Sequence, residues 1–371
     1  MSADLDRVSA HRPSLRPDIL LSTPLLRGRA TVHLVKDPVD GSCFAVGPKE
    51  YFLISRLDGK RSTQDIEGEY AAEFGRRLGD AHWHKLLGLL GSRRLLAGAE
   101  PPPSAAPPAP TPPVSGNLLR GSVRLVADAD ASTGRLHDAL RPALRAPVLL
   151  PLLVLCLVME AVLAADVRAL AHDTWWLFHR PAALVGVFTL LWLSTVGHEL
   201  AHGVAARHVG GTVGEIGLRW RLPVAIMYCR VDNYRFLARR RHQLAVGAAG
   251  AFMNLLFLLP FALWRFALDP ADPTHRVLSG LLLLGSLQAL VNLLPLPPLD
   301  GYTMLGHALR VDDLAVESGR YLRLRMRDRG TAAAYPARAR LLYSAYGIGS
   351  AVLVLALAAS LVAAACLLFV P

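Results

Sequence analysis

Cysteine is scarce. The 371 residues hold four, Cys43, Cys156, Cys229 and Cys366, scattered and without a C-x-x-C pair, so neither a disulfide framework nor a thiolate metal site is indicated. Charge is also thin, at 19% of the chain, and the mean hydropathy of +0.34 is too high for an ordinary soluble protein. The opening stretch MSADLDRVSAHRPSLRPDILL lacks an apolar core segment, so no cleaved signal peptide is expected and the first domain is expected to stay in the cytoplasm. The net charge of +11 could suggest nucleic acid, but the N-terminal domain mixes acids and bases without a clear basic face. The bases cluster instead between apolar blocks, the positive-inside pattern, and no nucleic-acid partner is expected.

The apolar blocks are what the chain has in abundance. Five reach membrane-crossing length, near Val148–Ala165, Ala182–Ala206, Leu244–Leu268, Val277–Leu296 and Tyr343–Val370. The expected class is a multi-span α-helical membrane protein of about five or six transmembrane helices with a small N-terminal α+β domain. The loop from His208 to His242 carries seven arginines, among them Arg219, Arg230 and Arg239, against Glu215 and Asp232. The loop from Gly306 to Arg340 is equally Arg-rich, whereas the opposite loops offer only Arg168, Arg180 and Arg276. That asymmetry puts the Arg-rich loops and the N-terminal domain on the cytoplasmic side. The apolar stretch Leu222 to Tyr228 has the length to dip into the membrane without crossing it.

Five segments follow. Residues 1–19 are expected as a flexible N-terminus and residues 20–98 as the small α+β domain. Residues 99–118, with the run EPPPSAAPPAPTPPVSG, form a Pro/Ala-rich linker. Residues 119–146 form a juxtamembrane segment in which Arg135 to Arg145 suit a membrane surface. Residues 147–371 form the membrane domain. Within the first domain Arg29–Val35 has strand composition, Asp40-Gly41 is a turn signal and Ser42–Val46 reads as the hairpin partner. Pro48 opens a helical pattern, Ser62 with Asp65 resembles a capping box before Ile66, Tyr70 and Phe74, and a third helix runs near Trp83 to Leu90.

The sharpest signal is His198-Glu199-Leu200-Ala201-His202, because it lies inside an apolar run. Ionisable groups in a membrane helix are costly and usually mark function. Positions i and i+4 share a helix face, so both imidazoles reach one metal ion, with Glu199 beside them as a base for a bound water. The second and fourth spans both run inward, so Asp300, which ends NLLPLPPLD, reaches the depth of the histidines at the cytoplasmic margin. Two imidazoles and one carboxylate leave an open position, the donor set of catalytic zinc. Read alone, Asp300 before Gly301 is equally a helix-end turn residue. Gly247, Gly250 and Asn254 lie in the third span; the glycines suit close helix packing, while Asn254 and Asn292 are candidate donors to a substrate carbonyl. His208, Asp232, His242 and His307 are expected as solvated loop residues.

HELAH in a span, the Gly250–Asn254 segment and NLLPLPPLDG together resemble the site-2 protease family of intramembrane zinc metalloproteases, over roughly residues 182–301. The resemblance implies zinc on His198, His202 and Asp300 with Glu199 as general base. The family usually has proline after the second glycine of the third span, where Ala251 stands here. Strand 29–36, Asp37-Pro38, Tyr51-Phe-Leu, Leu57-Asp58-Gly59 and Leu95-Leu96 are similar to PqqD-like peptide-recognition domains, which bind the leader of ribosomally made peptides by strand addition; an unrelated winged-helix domain has the same outline. The combination resembles the peptide zinc metalloproteases of bacterial peptide-maturation clusters. It implies a multi-pass protein of the bacterial cytoplasmic membrane, acting on a peptide or membrane-protein substrate within the lipid bilayer, beside peptide-modifying enzymes or an exporter. Two alternatives stay open: a regulatory intramembrane protease cleaving a membrane-anchored anti-sigma or transcription factor, and a non-catalytic peptide export or immunity component.

Overall fold

The structure, a computed structural model, describes residues 11–98, 114–116, 119–221 and 224–369. Most of the Pro/Ala-rich linker and the first ten residues therefore lie outside the described residues. The chain divides into two compact units, Met1–Thr111 with Arg310–Pro371, and Pro112–Leu309.

In the first unit, β1 (Leu20–Leu21), β2 (Leu25–Arg27), β3 (Ala30–Lys36) and β4 (Cys43–Val46) form one antiparallel sheet. β3 is central, with β1 and β2 along one side and β4 along the other, in the register His33↔Val46 to Lys36↔Cys43. The β3–β4 turn falls at the Asp-Gly signal: Gly41 takes φ +74, the left-handed region that a glycine enters without strain. Three helices follow, α1 (Pro48–Ile54), α2 (Thr63–Phe74) and α3 (Asp80–Ser92). Proline at the start of α1 removes no needed donor. The Ser62–Asp65 capping box is complete, satisfying two of the orphan N–H groups at the start of α2. Trp83, Ile66, Leu90 and Ile54 make the core. Residues 14–16, expected within the flexible N-terminus, are instead tied in by backbone bonds: Leu15 N–H donates to Leu57 and Arg16 N–H to Leu95. The same unit holds the last three helices of the described chain, α11 (Leu314–Arg327), α12 (Arg329–Ala333) and α13 (Ala337–Phe369). Leu26 exchanges backbone bonds with Arg310 and Asp312, which ties β2 to the start of that helical segment.

The second unit holds α4 (Ala129–Leu140), α5 (Ala146–Ala165), α6 (Val167–Phe178), α7 (Pro181–His208), α8 (Arg240–Phe266), α9 (Pro273–Asn292) and α10 (Asp300–Leu309). Its sheet has the order β5 (Val114–Gly116), β6 (Arg120–Arg124), β7 (Val213–Arg221) and β8 (Val224–Val231), all antiparallel. Across the described residues of both units five helices are long and apolar enough to cross a membrane: α5, α7, α8, α9 and most of α13. The core of the second unit is Leu163, Leu177, Leu258, Leu281 and Leu282.

Three expectations change here. Of the stretch Leu222 to Tyr228, with the length to dip into the membrane, residues 222–223 lie outside the described residues and Val224–Tyr228 belong to strand β8. Ile226 and Tyr228 alternate with Met227 and Cys229 and pair with β7, so its backbone is satisfied by a sheet. The juxtamembrane segment supplies β6 to that sheet, and α4 packs on α7, where Asp130 holds Arg207 at 3.0 Å. The base-poor loop after the first span is mostly a helix, α6, which buries Leu170, Asp173, Thr174 and Leu177 against α9.

Candidate metal centre

Helix α7 presents His198 and His202 one turn apart, 5% and 9% exposed, toward α8 and α10. Their Nε2 atoms lie 3.1 Å apart. Asp300, the first residue of α10, puts Oδ2 3.0 Å from His198 Nε2 and 3.3 Å from His202 Nε2. Four-coordinate zinc with bonds near 2.1 Å spaces its ligand atoms by about 3.4 Å, so the three donors sit at the separation a single ion requires. Three such atoms pressed together without an ion leave at least one pair of lone pairs face to face, which a cation relieves. These residues can hold a metal ion.

The surroundings prepare the donors. His202 Nδ1 lies 2.7 Å from the Val246 carbonyl, so Nδ1 carries the proton and Nε2 is left free to ligate. Burial raises the Asp300 carboxyl, but its close contacts with His198 and His202 outweigh it and hold the group below the usual carboxylate range. It is therefore ionised, as a ligand must be. Gly250 on α8 lies directly behind the trio: a Cβ there would strike both imidazoles, at 2.6 Å from His202 Nε2. Gly301 likewise admits the carbonyl oxygens of Leu293 and Leu294, which lets the chain turn from α9 into α10 and aim Asp300.

Glu199 points to the strand beside α7. Its Oε2 accepts the Cys229 N–H at 3.0 Å. Two turns earlier Trp192 Nε1 donates to the Ala225 carbonyl at 3.3 Å. β8 is thus stapled along α7 at both ends, and its backbone holds the acid next to the histidines. Cys229 is not part of the donor group, and burial, helped by the Glu199 charge, pushes its thiol up to about 12.

Asn254 is fully buried one turn along α8 from Gly250. Its Oδ1 accepts from Ser194 at 3.0 Å, and its amide nitrogen has no partner, an unused donor. Asn292 ends α9, half-buried, and no hydrogen bond joins it to the trio. Gln288 donates to Thr195 at 2.9 Å and locks α9 to α7 just before His198, a contact that sequence reading missed.

No family model matches the chain, and neither the characterised proteins nor the solved structures searched return a match. The site therefore stands on its own geometry.

Of the four residues expected as solvated, His307 departs most. It packs edge-on against Tyr234, ring centroids 4.5 Å apart, and burial together with Arg235 pushes it down to about 4, so it is neutral at physiological pH. Tyr234 is pushed up by burial and by the nearby negative charge of Asp300, and its hydroxyl donates to the Gln243 carbonyl at 2.6 Å. This pair braces α10 against the start of α8. His208 meets His137 at 3.3 Å, and Asp232 pairs with Arg230 at 3.1 Å. His242, half-buried, lies in the first turn of α8.

Proposed function

We propose that the chain is a zinc endopeptidase of the bacterial cytoplasmic membrane, with its N-terminal domain in the cytoplasm, acting on a leader-bearing peptide. The observation that carries this reading is the meeting of His198, His202 and Asp300 within bonding range of one ion, beside a carboxylate that is not part of the set. Zinc is the ion that suits two imidazoles and one carboxylate with an open fourth position. Bound there, it would supply Lewis acidity to a water and to the scissile carbonyl.

The protein groups account for the rest. Glu199 takes the proton of the attacking water and returns it to the leaving amine. The Cys229 N–H keeps that carboxylate oriented between turns. The unused amide of Asn254 is a donor for the carbonyl oxygen as it gains charge. The leader-binding role of the first domain draws support from β4, an edge strand among the described residues.

The test compares small peptides, by mass spectrometry, from cells carrying wild type and cells carrying Glu199→Gln. A trimmed peptide that vanishes while its longer precursor accumulates supports the reading and identifies the substrate. Identical profiles from an expressed, membrane-inserted variant overturn it.

A further inference from the structure

Helices α11 and α12 and the first three turns of α13 enclose an open groove of about 1040 Å³. Its floor is apolar, with Leu322, Met326, Leu341 and Ile348, and its rim carries Arg325, Arg329 and Arg340. No carboxylate lies within ion-pair distance of these three arginines among the described residues. The nearby acids are engaged elsewhere: Glu317 holds Arg320 at 2.9 Å, and Asp328 accepts from Thr331 at the start of α12. Arg325 reaches only the Ser344 hydroxyl, at 3.3 Å.

The apolar floor is as unprotected as the rim is unpaired. Met326 is 78% and Leu341 68% exposed, which in water would be a poor arrangement. The surroundings are not expected to be water. The apolar window of α13 is a candidate membrane span with none of it buried inside the protein. The groove begins at the end of that span and runs along it from Arg340 to Ile348, about 12 Å at helical rise. Three uncompensated guanidinium groups lie at the boundary, and an apolar trough leads from them toward the hydrocarbon. A ligand complementary to both ends has an anionic head and an aliphatic tail. Guanidinium forks match phosphate oxygens two at a time, and basic pockets at the edge of membrane helices hold anionic headgroups.

We propose that the Arg325–Arg329–Arg340 groove binds an anionic phospholipid, the phosphodiester between the three guanidinium groups and an acyl chain along Leu341 and Ile348. This site is separate from the metal trio and does not depend on protease activity.

Native mass spectrometry of the full-length protein in detergent tests it, with titration by phosphatidylglycerol or phosphatidylcholine of the same chains. Phosphatidylglycerol is expected to bind about tenfold more tightly. Arg325→Gln/Arg329→Gln/Arg340→Gln removes that preference, while Arg323→Gln/Arg327→Gln, on the same helix but off the rim, keeps it. Equal affinity of wild type for the two lipids overturns the proposal, and so does equal loss in both variants, which would mean diffuse charge only. Displacement of the lipid by glycerol phosphate at matched concentration overturns the lipid assignment in favour of a soluble anion. The wild-type comparison needs no variant, so it decides even if the triple glutamine chain fails to fold. Lysine replacements, which keep charge and lose the forks, then give a preference between the two extremes.

Discussion

The N-terminal domain and the helical bundle solve burial in opposite directions. In the first, Trp83, Ile66 and Leu90 go inside and the polar chemistry stays at element ends, as in the Ser62–Asp65 box. In the bundle, Leu150, Val154 and Leu157 of α5 face outward, while Glu160 of the same helix turns inward and accepts from Ser286 at 2.7 Å. Arg265 is buried and held by Asp166 at 2.7 Å, and Ser279 accepts from it as well. The difference is the one that two solvents would impose: a chain in water hides its apolar groups, whereas a chain in lipid has no reason to, and hides the polar ones. Inside the bundle a polar residue therefore marks either a helix-to-helix tie or a site. The metal trio is set apart from the ties because three donors converge there on one point, while each tie is a simple donor–acceptor pairing.

The strongest way to break that contrast is to remove chemistry without touching packing. Glu199→Gln is nearly isosteric and keeps an acceptor for the Cys229 N–H. Peptide cleavage is expected to fall about 10²–10⁴-fold, the contribution of a positioned proton acceptor, with the metal content of the purified protein unchanged. Asp300→Asn acts on the other side of the distinction. It is expected to lose both metal and activity, read by elemental analysis, because a neutral amide is a poor ligand for zinc. If Asp300→Asn kept its metal, the trio would be another tie.

A smaller effect is expected at Gly250→Ala. The added methyl strikes both imidazoles. Metal affinity should fall about 10–100-fold, the range found when groups directly behind metal ligands are altered, while the helix content by circular dichroism holds. Acidification sharpens the same point. Asp300 is held below the usual carboxylate range, so it stays ionised well into acid and its contribution disappears only as pH falls through that lowered value. Protons compete with the metal at the imidazoles, so lowering the pH is expected to release the metal, read by elemental analysis. Metal content left unchanged by both His198→Ala and His202→Ala would mean that the histidines are not ligands.

The same contrast explains what could be read from the chain. His198, His202 and Asp300 were legible because ionisable groups are conspicuous in an apolar run, and the structure brings the three together. The hairpin, the capping box and the three helices of the first domain were legible because period and caps are local patterns. The β6–β7–β8 sheet was not, since β6 pairs with β7 at a separation of about a hundred residues, which no local pattern records. A signal did exist in β7: Ile216, Leu218 and Trp220 alternate with Gly217, Arg219 and Arg221. The arginines drew attention to topology and away from that period. The Cys229 N–H that orients Glu199 is a backbone group, and any residue but proline at that position would supply it. The unpaired amide of Asn254 was anticipated as a donor, but its tie to Ser194 was not.

The least disruptive change belongs to the first domain. Ser62→Ala removes the acceptor for the Asp65 N–H and half of the capping box, leaving the Asp65 carboxylate to hold the Ser62 N–H alone. A loss of about 1 kcal/mol is expected, seen as a lower melting temperature for the first domain. The metal content should not move, because the trio draws its order from α7, α8 and α10, none of which α2 helps to build. A drop in metal content with Ser62→Ala would mean that the two regions are energetically coupled, and that the division between them is drawn in the wrong place.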